Sequence, residues 1–257
     1  MTFNEYYEFP EGINATHKYM LSDWYNFPEA QLPVNSEYLF TRNPAIYLCP
    51  WDVSNVTNMS YMLSECKNLT DISALSNWNV SNVTTMSYLF NGCTNLSDIS
   101  ALSNWNVSNV TNISYLFNGC SNLTSVDLSN WDTSKVTNMS HLVYNISKFT
   151  TFGPIDCSSI SSAGNYPLYL SSNSTSLVNL GGFLNMKTSW NNNYGLYRCP
   201  NLTYESCINV LNGLYDFTGN GLTPNSSQGQ LKVNANFLTT VGDKISIGTD
   251  KGWTITS

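Results

Sequence analysis

Charged side chains are scarce in this sequence, at 11% of the residues against a usual share of about 25%. Ten Lys and Arg residues stand against 17 Asp and Glu residues, which gives a formal net charge of −7. Because nucleic-acid recognition requires a basic patch, this balance argues against a nucleic-acid partner. No apolar run approaches the roughly 20 residues that cross a bilayer, so the sequence predicts no membrane insertion.

The start of the sequence lacks the features of a secretory signal peptide. The stretch "MTFNEYYEFPEG" has neither a basic beginning nor an apolar core, and a signal peptide needs both. We therefore expect that, if the protein acts in a virion or at a cell exterior, something else carries it there.

Recognisable catalytic residues are also missing. His17 and His141 are the two histidines, and neither lies in a signature with a nucleophile or a carboxylate. No C-x-x-C pair with a nearby His indicates a zinc site. The sequence predicts no enzyme activity, no catalytic residue, no metal and no cofactor.

The sequence does contain a regular internal repeat. Tryptophan recurs at Trp51, Trp78, Trp105 and Trp131, and the third interval is one position shorter than the first two. A propeller blade needs about 40 residues, whereas this shorter period lies in the range of leucine-rich repeats. The sequence therefore predicts an α/β-type repeat solenoid, leucine-rich-repeat-like, with short parallel strands stacked with turns and short helices, and irregular caps at both ends.

Within one repeat, two fragments predict different local structures. "LTSVDLSNW" (residues 123–131) has the L-x-x-L-x-L spacing of a solenoid strand with one buried face. "VTNMSHLV" (residues 136–143) spaces its apolar residues by three and four, which favours a short helical or 3₁₀ segment. The polar fragments between them are rich in Ser and Asn, which favour turns.

The repeats resemble those of the BspA-like leucine-rich-repeat surface proteins. The fragments that carry the resemblance are "WDVSNVTNMSYMLSECKNLT" (residues 51–70) and "LSNWDTSKVTNMS" (residues 128–140). Residues 177–255, with "LGGFLNM", "LTYESCINVLNGLYDFTG" and "ISIGTDKGWTI", resemble a closing module found in proteins of gut bacteria and of their phages. The first resemblance implies a surface protein, and the second bears on origin.

Three segments are predicted along the chain. Residues 1–50 are expected to form irregular capping rungs, residues 51–156 four repeats, and residues 157–257 degenerate repeats with a capping module that contains one helix. Thr203 is the expected N-cap of that helix, and Asn212-Gly213 is its expected end.

Three cysteines form a column of their own, at Cys66, Cys93 and Cys120. Neighbouring rungs lie about 4.8 Å apart, so distance permits a disulfide, but parallel Cβ directions disfavour it. We expect free, buried thiols.

The recurring Asn-x-Ser/Thr triplets, as at Asn55 and Asn82, read as glycosylation acceptors or as turns, and their register with the repeat favours turns.

Two candidate binding surfaces follow from the repeat. The first is an aromatic column of half-exposed rings, for sugars or a partner protein; the alternative is that the rings only pack against one another. The column consists of Tyr61, Tyr88, Tyr115 and His141. The second is the open strand face with Asp71, Asp98, Ser125 and Asp127, for which the alternative is a solvated acidic face.

The sequence thus favours a non-enzymatic binding or structural protein. The first hypothesis is a phage virion component of a tail or fibre, whose partners are a host cell-surface protein or glycan, or other virion proteins. The second is a bacterial cell-surface adhesin of the BspA-like type. A second copy of the chain is a further candidate partner, and catalytic turnover of a polysaccharide would favour an enzyme instead.

Overall fold

The structure is a computed structural model that describes residues 31–43, 48, 51–161, 176–187, 189, 196–224 and 228–257. Most of the predicted N-terminal cap (residues 1–50), including His17, lies outside the described residues. Within them, no helix combines the length and apolar character needed to cross a membrane.

The central repeats are held together by backbone hydrogen bonds between equivalent turns. The N–H groups of Met59, Tyr61 and Leu63 donate to carbonyls one repeat later, over 2.9 to 3.1 Å. The N–H groups between them close tight turns within the repeat, as from Met62 to the carbonyl of Met59. Alternate backbone donors therefore serve the stack and the local turn, and few N–H groups of this segment are left for a helix.

Each of these turns contains two residues with positive φ, four positions apart. In the second repeat, Tyr88 has φ 60° and Gly92 has φ 72°. Glycine adopts this left-handed region without cost, whereas other residues are strained there. The non-glycine residues in these two columns are Tyr38, Arg42, Tyr61, Glu65, Tyr88, Tyr115, His141 and Asn145.

Strands are short and lie in separate parallel sheets. In chain order they are β1 (Ser125–Val126), β2 (Thr151–Phe152), β3 (Ile155–Asp156), β4 (Asn179–Leu180), β5 (Phe183–Leu184), β6 (Gln230–Lys232) and β7 (Thr254–Thr256). The described part of the chain forms one sheet with the order β1-β2-β4 and two pairs, β3-β5 and β6-β7. Single parallel bridges continue the pairing through the central repeats, at Asn35, Asn58, Thr85, Asn112 and Asn138.

The α-helices described lie near the C-terminal end of the sequence. They are α1 (Tyr204–Gly213), α2 (Ala235–Val241) and α3 (Ser246–Thr249). Short 3₁₀ helices occur at Ser73–Asn77, Ser100–Leu102, Leu196–Arg198 and Gly242–Ile245. The N-cap prediction for α1 is confirmed, because the Thr203 side chain accepts a hydrogen bond from the N–H of Ser206.

The predicted α/β-type, leucine-rich-repeat-like solenoid is wrong. The described residues contain few helices, and their very short strands in small parallel sheets do not form the two continuous layers of that architecture. The predicted helical segment at residues 136–143 contains a single parallel bridge at Asn138 and then turns from Ser140 onward, in which His141 has φ 56°. Ser and Asn side chains bond to nearby backbone groups and compete with strands and helices, so each regular element stops after a few residues.

Apolar columns along the repeats form the core. The rings of Trp51, Trp78, Trp105 and Trp131 follow one another with centroids 6.2 to 6.3 Å apart. Beside them, the thiols of Cys66, Cys93 and Cys120 are buried and donate to backbone carbonyls over 3.1 to 3.2 Å. The cysteines in the described residues are free.

Candidate functional site

The aromatic column of the repeats is a continuous stack of rings. Tyr61 and Tyr88 lie 4.3 Å apart between centroids, Tyr88 and Tyr115 4.4 Å, and Tyr115 and His141 4.5 Å. The planes are within 8° of parallel. These residues are half-buried, so the column lies at the protein surface.

The stack includes a ring that the column prediction missed. Tyr38 stacks on Tyr61 with centroids 4.6 Å apart, and 39% of its surface is exposed. The interval from Tyr38 to Tyr61 is shorter than the interval from Tyr61 to Tyr88. A search at a fixed repeat length therefore does not place Tyr38 in the column. The signal was present in "SEYLF" (residues 36–40), which copies the spacing of "MSYML" (residues 59–63).

Stacking decides which part of each ring is open to a partner. Tyr61, Tyr88 and Tyr115 each have a ring on both faces, so a sugar cannot lie flat on them. Their outer edges and phenol groups remain at the surface. We call this stack of Tyr38, Tyr61, Tyr88, Tyr115 and His141 the ring column, and its accessible part is an edge rather than a face.

The phenol groups of the ring column lie close to one another. The pKa of Tyr88 lies far above its ordinary value, and burial is the largest cause. Electrostatic interactions and hydrogen bonds with Tyr61 and Tyr115 raise this pKa further. Burial also lowers the pKa of His141. Both shifts favour the uncharged form of the group, and tyrosine hydroxyls both donate and accept hydrogen bonds.

The three acidic residues of the predicted strand face each close a local turn. Asp71 Oδ1 accepts from the N–H of Ser73 over 2.8 Å, Asp98 Oδ1 from Ser100 over 2.8 Å, and Asp127 Oδ1 from Ser129 over 3.0 Å. All three are exposed. Backbone and side-chain hydrogen bonds from Ser73 lower the pKa of Asp71.

Only two of these three carboxylates line a common cleft. Asp98 and Asp127 border a surface cleft of about 220 Å³, together with Ser97, Ser100, Ser125 and Trp131. Asp71 is not among the residues that line it. Ser125 belongs to the predicted strand face, whereas the other serines of the cleft were not predicted as site residues, because serine is common throughout the sequence.

The tryptophan and cysteine columns have the buried, hydrogen-bonded geometry of structural residues. The indole Nε1 atoms of Trp105 and Trp131 donate to the carbonyls of Leu75 and Leu102 over 2.8 and 2.9 Å. Burial raises the pKa of the Cys66 thiol to about 11 and that of Cys120 to about 12, so these thiols are protonated and poorly reactive at neutral pH. Over the described ranges, no group of three or more His, Cys, Asp or Glu side chains is arranged to hold a metal ion.

The fold and its surface define a repeat protein whose successive turns are hydrogen-bonded in register and present the same side chains in rows. Residues 35–154 match a family described as a Mycoplasma protein of unknown function, DUF285. The match spans the central repeats and stops before the region with α-helices. No curated protein and no solved structure matches the chain.

Proposed function

We propose that the protein is a non-enzymatic binding protein that contacts an extended partner through the outer edge of the ring column. The observation that supports this most is the spacing of the column, in which the centroids of its five rings recur every 4.3 to 4.6 Å. A partner with its own regular row of polar groups can touch several of these edges together. Several weak contacts in one molecule gain affinity through effective concentration.

The setting proposed first is a phage tail or fibre, where the partner is a protein or glycan of the host surface. The resemblance of residues 177–255 to a closing module in proteins of gut bacteria and their phages supports this setting. A bacterial surface adhesin is the second candidate. The match of residues 35–154 to a family described as a Mycoplasma protein favours it, because that description is bacterial.

The contact itself is tested with substitutions that keep the rings stacked. The triple variant Tyr61→Phe, Tyr88→Phe, Tyr115→Phe retains ring packing and removes the hydroxyl row. The matched control Thr84→Ser, Thr111→Ser, Thr137→Ser changes another exposed row, whose hydroxyls donate to carbonyls one repeat earlier. Serine keeps that hydrogen bond, so the control should fold and bind as the parent does.

Binding of the labelled proteins to intact cells of a panel of gut bacteria and mycoplasmas gives the readout. We expect the phenylalanine variant to lose at least roughly tenfold in affinity, with a melting temperature close to that of the parent. Equal binding by the parent and the phenylalanine variant would show that the column is only a packing device. Immunogold labelling of phage particles and of bacterial surfaces then separates the two settings.

A further inference from the structure

The cleft beside Trp131 lies where the repeat changes length. The interval from Trp105 to Trp131 is one position shorter than the interval from Trp78 to Trp105. The segment before Trp105 contains the 3₁₀ helix Ser100–Leu102, and the shorter segment before Trp131 contains β1 instead. Residues of both segments line the cleft, with Ser100 from the 3₁₀ helix and Ser125 from β1.

The cleft carries carboxylates that are already oriented. The Asp98 oxygens accept from the N–H and the Oγ of Ser100, over 2.8 and 3.1 Å. Asp127 Oδ1 accepts from the N–H of Ser129 over 3.0 Å. Because an ionised carboxylate has about four acceptor sites, each side chain is held in place and retains capacity for hydroxyl donors.

The rest of the lining combines hydroxyl groups with an apolar base. Ser97, Ser100 and Ser125 border the cleft and are exposed. Ile99 and Trp131 also line it and are 8% and 5% exposed, so their accessible atoms form the base of the cleft. Polar groups that both donate and accept, next to apolar surface, match the hydroxyl and C–H surfaces of a sugar ring.

We propose that this cleft is a saccharide subsite that binds one neutral sugar unit of a glycan. Its volume of about 220 Å³ is below the range of roughly 300 to 1,000 Å³ for drug-sized ligands, which suits a single six-membered ring. Calcium takes six to eight oxygen ligands, and two carboxylates already engaged in turns supply too few for a cation site. The subsite is distinct from the ring column; it rests on the proposed binding function and gives that function a substrate class.

The test uses the whole chain and five monosaccharides: glucose, galactose, mannose, N-acetylglucosamine and fucose. Saturation-transfer-difference NMR measures contact of each sugar with the protein, and titration gives the affinity. We expect at least one sugar to receive saturation from the parent. The double variant Asp98→Asn, Asp127→Asn should weaken that binding by roughly tenfold or more, because a neutral amide accepts more weakly from hydroxyls.

The control variant is Asp71→Asn. Asp71 precedes Trp78 by the same number of positions that separate Asp98 from Trp105, and it closes the same kind of turn, but it lies outside the cleft. Asparagine keeps the Oδ1 acceptor of each turn, so all variants should fold. If the double variant unfolds, Ser125→Val replaces it, since a β-branched residue suits the exposed strand position and narrows the cleft.

No saturation transfer to any of the five sugars, or unchanged affinity in the cleft variants, would overturn the subsite. Binding of Ca²⁺ without sugar binding would also overturn it. The ring-column variants separate this inference from the proposed function. If Tyr61→Phe, Tyr88→Phe, Tyr115→Phe loses cell binding and keeps sugar binding, the two activities belong to two places. If the double variant loses sugar binding and keeps cell binding, the result supports the subsite alone.

Discussion

Trp105 in the central repeats and Trp253 in the C-terminal region are buried equally deeply but in different surroundings. Trp105 and Trp253 are each 3% exposed. Trp105 lies between two equivalent rings, Trp78 and Trp131. Trp253 instead tilts against Phe217, and its Nε1 donates to the carbonyl of Tyr215. In the repeats the same ring contact thus recurs from one unit to the next, whereas the contacts of Trp253 in the C-terminal region have no equivalent copy.

Helix ends show the same difference. In the central repeats, aspartate turns at Asp71 and Asp98 come immediately before the 3₁₀ helices, whereas α1 has a side-chain partner at each end. Thr203 caps the beginning of α1, and Lys251 Nζ donates to the carbonyls of Leu211, Asn212 and Leu214 at its end. In a stack each repeat mainly contacts its neighbours, so stability is shared between adjacent units. The C-terminal region instead depends on individual residues that have no copy.

The largest effects are expected from the two tryptophans. Trp105→Ala and Trp253→Ala should each lower the free energy of unfolding by about 3 to 5 kcal/mol, because each leaves a large cavity. Their patterns should differ in amide hydrogen exchange. We expect Trp105→Ala to reduce protection in the repeats on both sides, and Trp253→Ala to reduce it around α1, α2 and α3. Identical protection patterns would contradict the distinction between the regions.

The next largest effect is expected at alkaline pH, which should destabilise the protein through its buried column of thiols. Burial raises the pKa of Cys66 from 9.0 to about 11 and of Cys120 from 9.0 to about 12. The unfolded chain therefore loses these protons first. The stabilising contribution is complete below about pH 8.5 and is lost as the pH rises to 11 or 12, at up to about 1.4 kcal/mol per pH unit for each thiol.

Urea unfolding at pH 8, 9 and 10 measures this loss. The variant Cys66→Ala, Cys93→Ala, Cys120→Ala retains the thiols of Cys199 and Cys207, so its slope with pH reports the C-terminal region more than the repeats. We expect that slope to be shallower than the slope of the parent. Equal slopes would show that the column contributes little.

Alkylation of denatured, unreduced protein should label most of the seven cysteines.

Removing one cap from each region compares a helix with a turn. Thr203→Ala should lower stability by about 1 kcal/mol, because the N–H of Ser206 loses its acceptor. Asp71→Ala removes an equivalent acceptor from the N–H of Ser73, but this turn is exposed and water replaces the carboxylate. Thermal unfolding should show a smaller shift for Asp71→Ala. A larger shift for Asp71→Ala would mean that the turns, rather than the packed columns, determine the stability of the repeats.

Two further effects, of opposite sign, concern one left-handed position in two repeats. Glu65 has φ 61° and the equivalent Gly92 has φ 72°. Glu65→Gly should stabilise the protein by a few tenths of a kcal/mol, since relief of strain slightly exceeds the entropy cost of glycine. Gly92→Ala should destabilise it by about 1 kcal/mol, because the new Cβ lies 2.9 Å from Glu65 Oε1.

Urea unfolding of both single variants and of the double variant measures these effects. In Glu65→Gly, Gly92→Ala the close contact with the Glu65 side chain is gone, so the cost of Gly92→Ala should fall. If the two effects simply add, the cost of Gly92→Ala comes from its backbone angle alone.

The period of the sequence predicted which side chains meet. Trp51, Trp78, Trp105 and Trp131 are spaced by one repeat, and their rings follow one another in the core. The cap at Thr203 was also predictable, because an N-cap depends on a few neighbouring residues. The periodicity follows from the order of residues along the chain, and capping follows from a few neighbouring residues, so both can be read from the sequence alone.

The tertiary structure decided the backbone between those contacts and the form of the binding surfaces. Apolar residues spaced by three and four predicted a helix around His141, but the carbonyls of Ser140 and Leu142 accept from N–H groups of the preceding repeat, and the segment forms turns with positive φ instead. The stack also covers the faces of the tyrosine rings, and the cleft of Asp98 and Asp127 is lined by residues of two adjacent repeats, one with a 3₁₀ helix and one with β1. Each of these features depends on what the adjacent repeat contributes, which no single stretch of sequence contains.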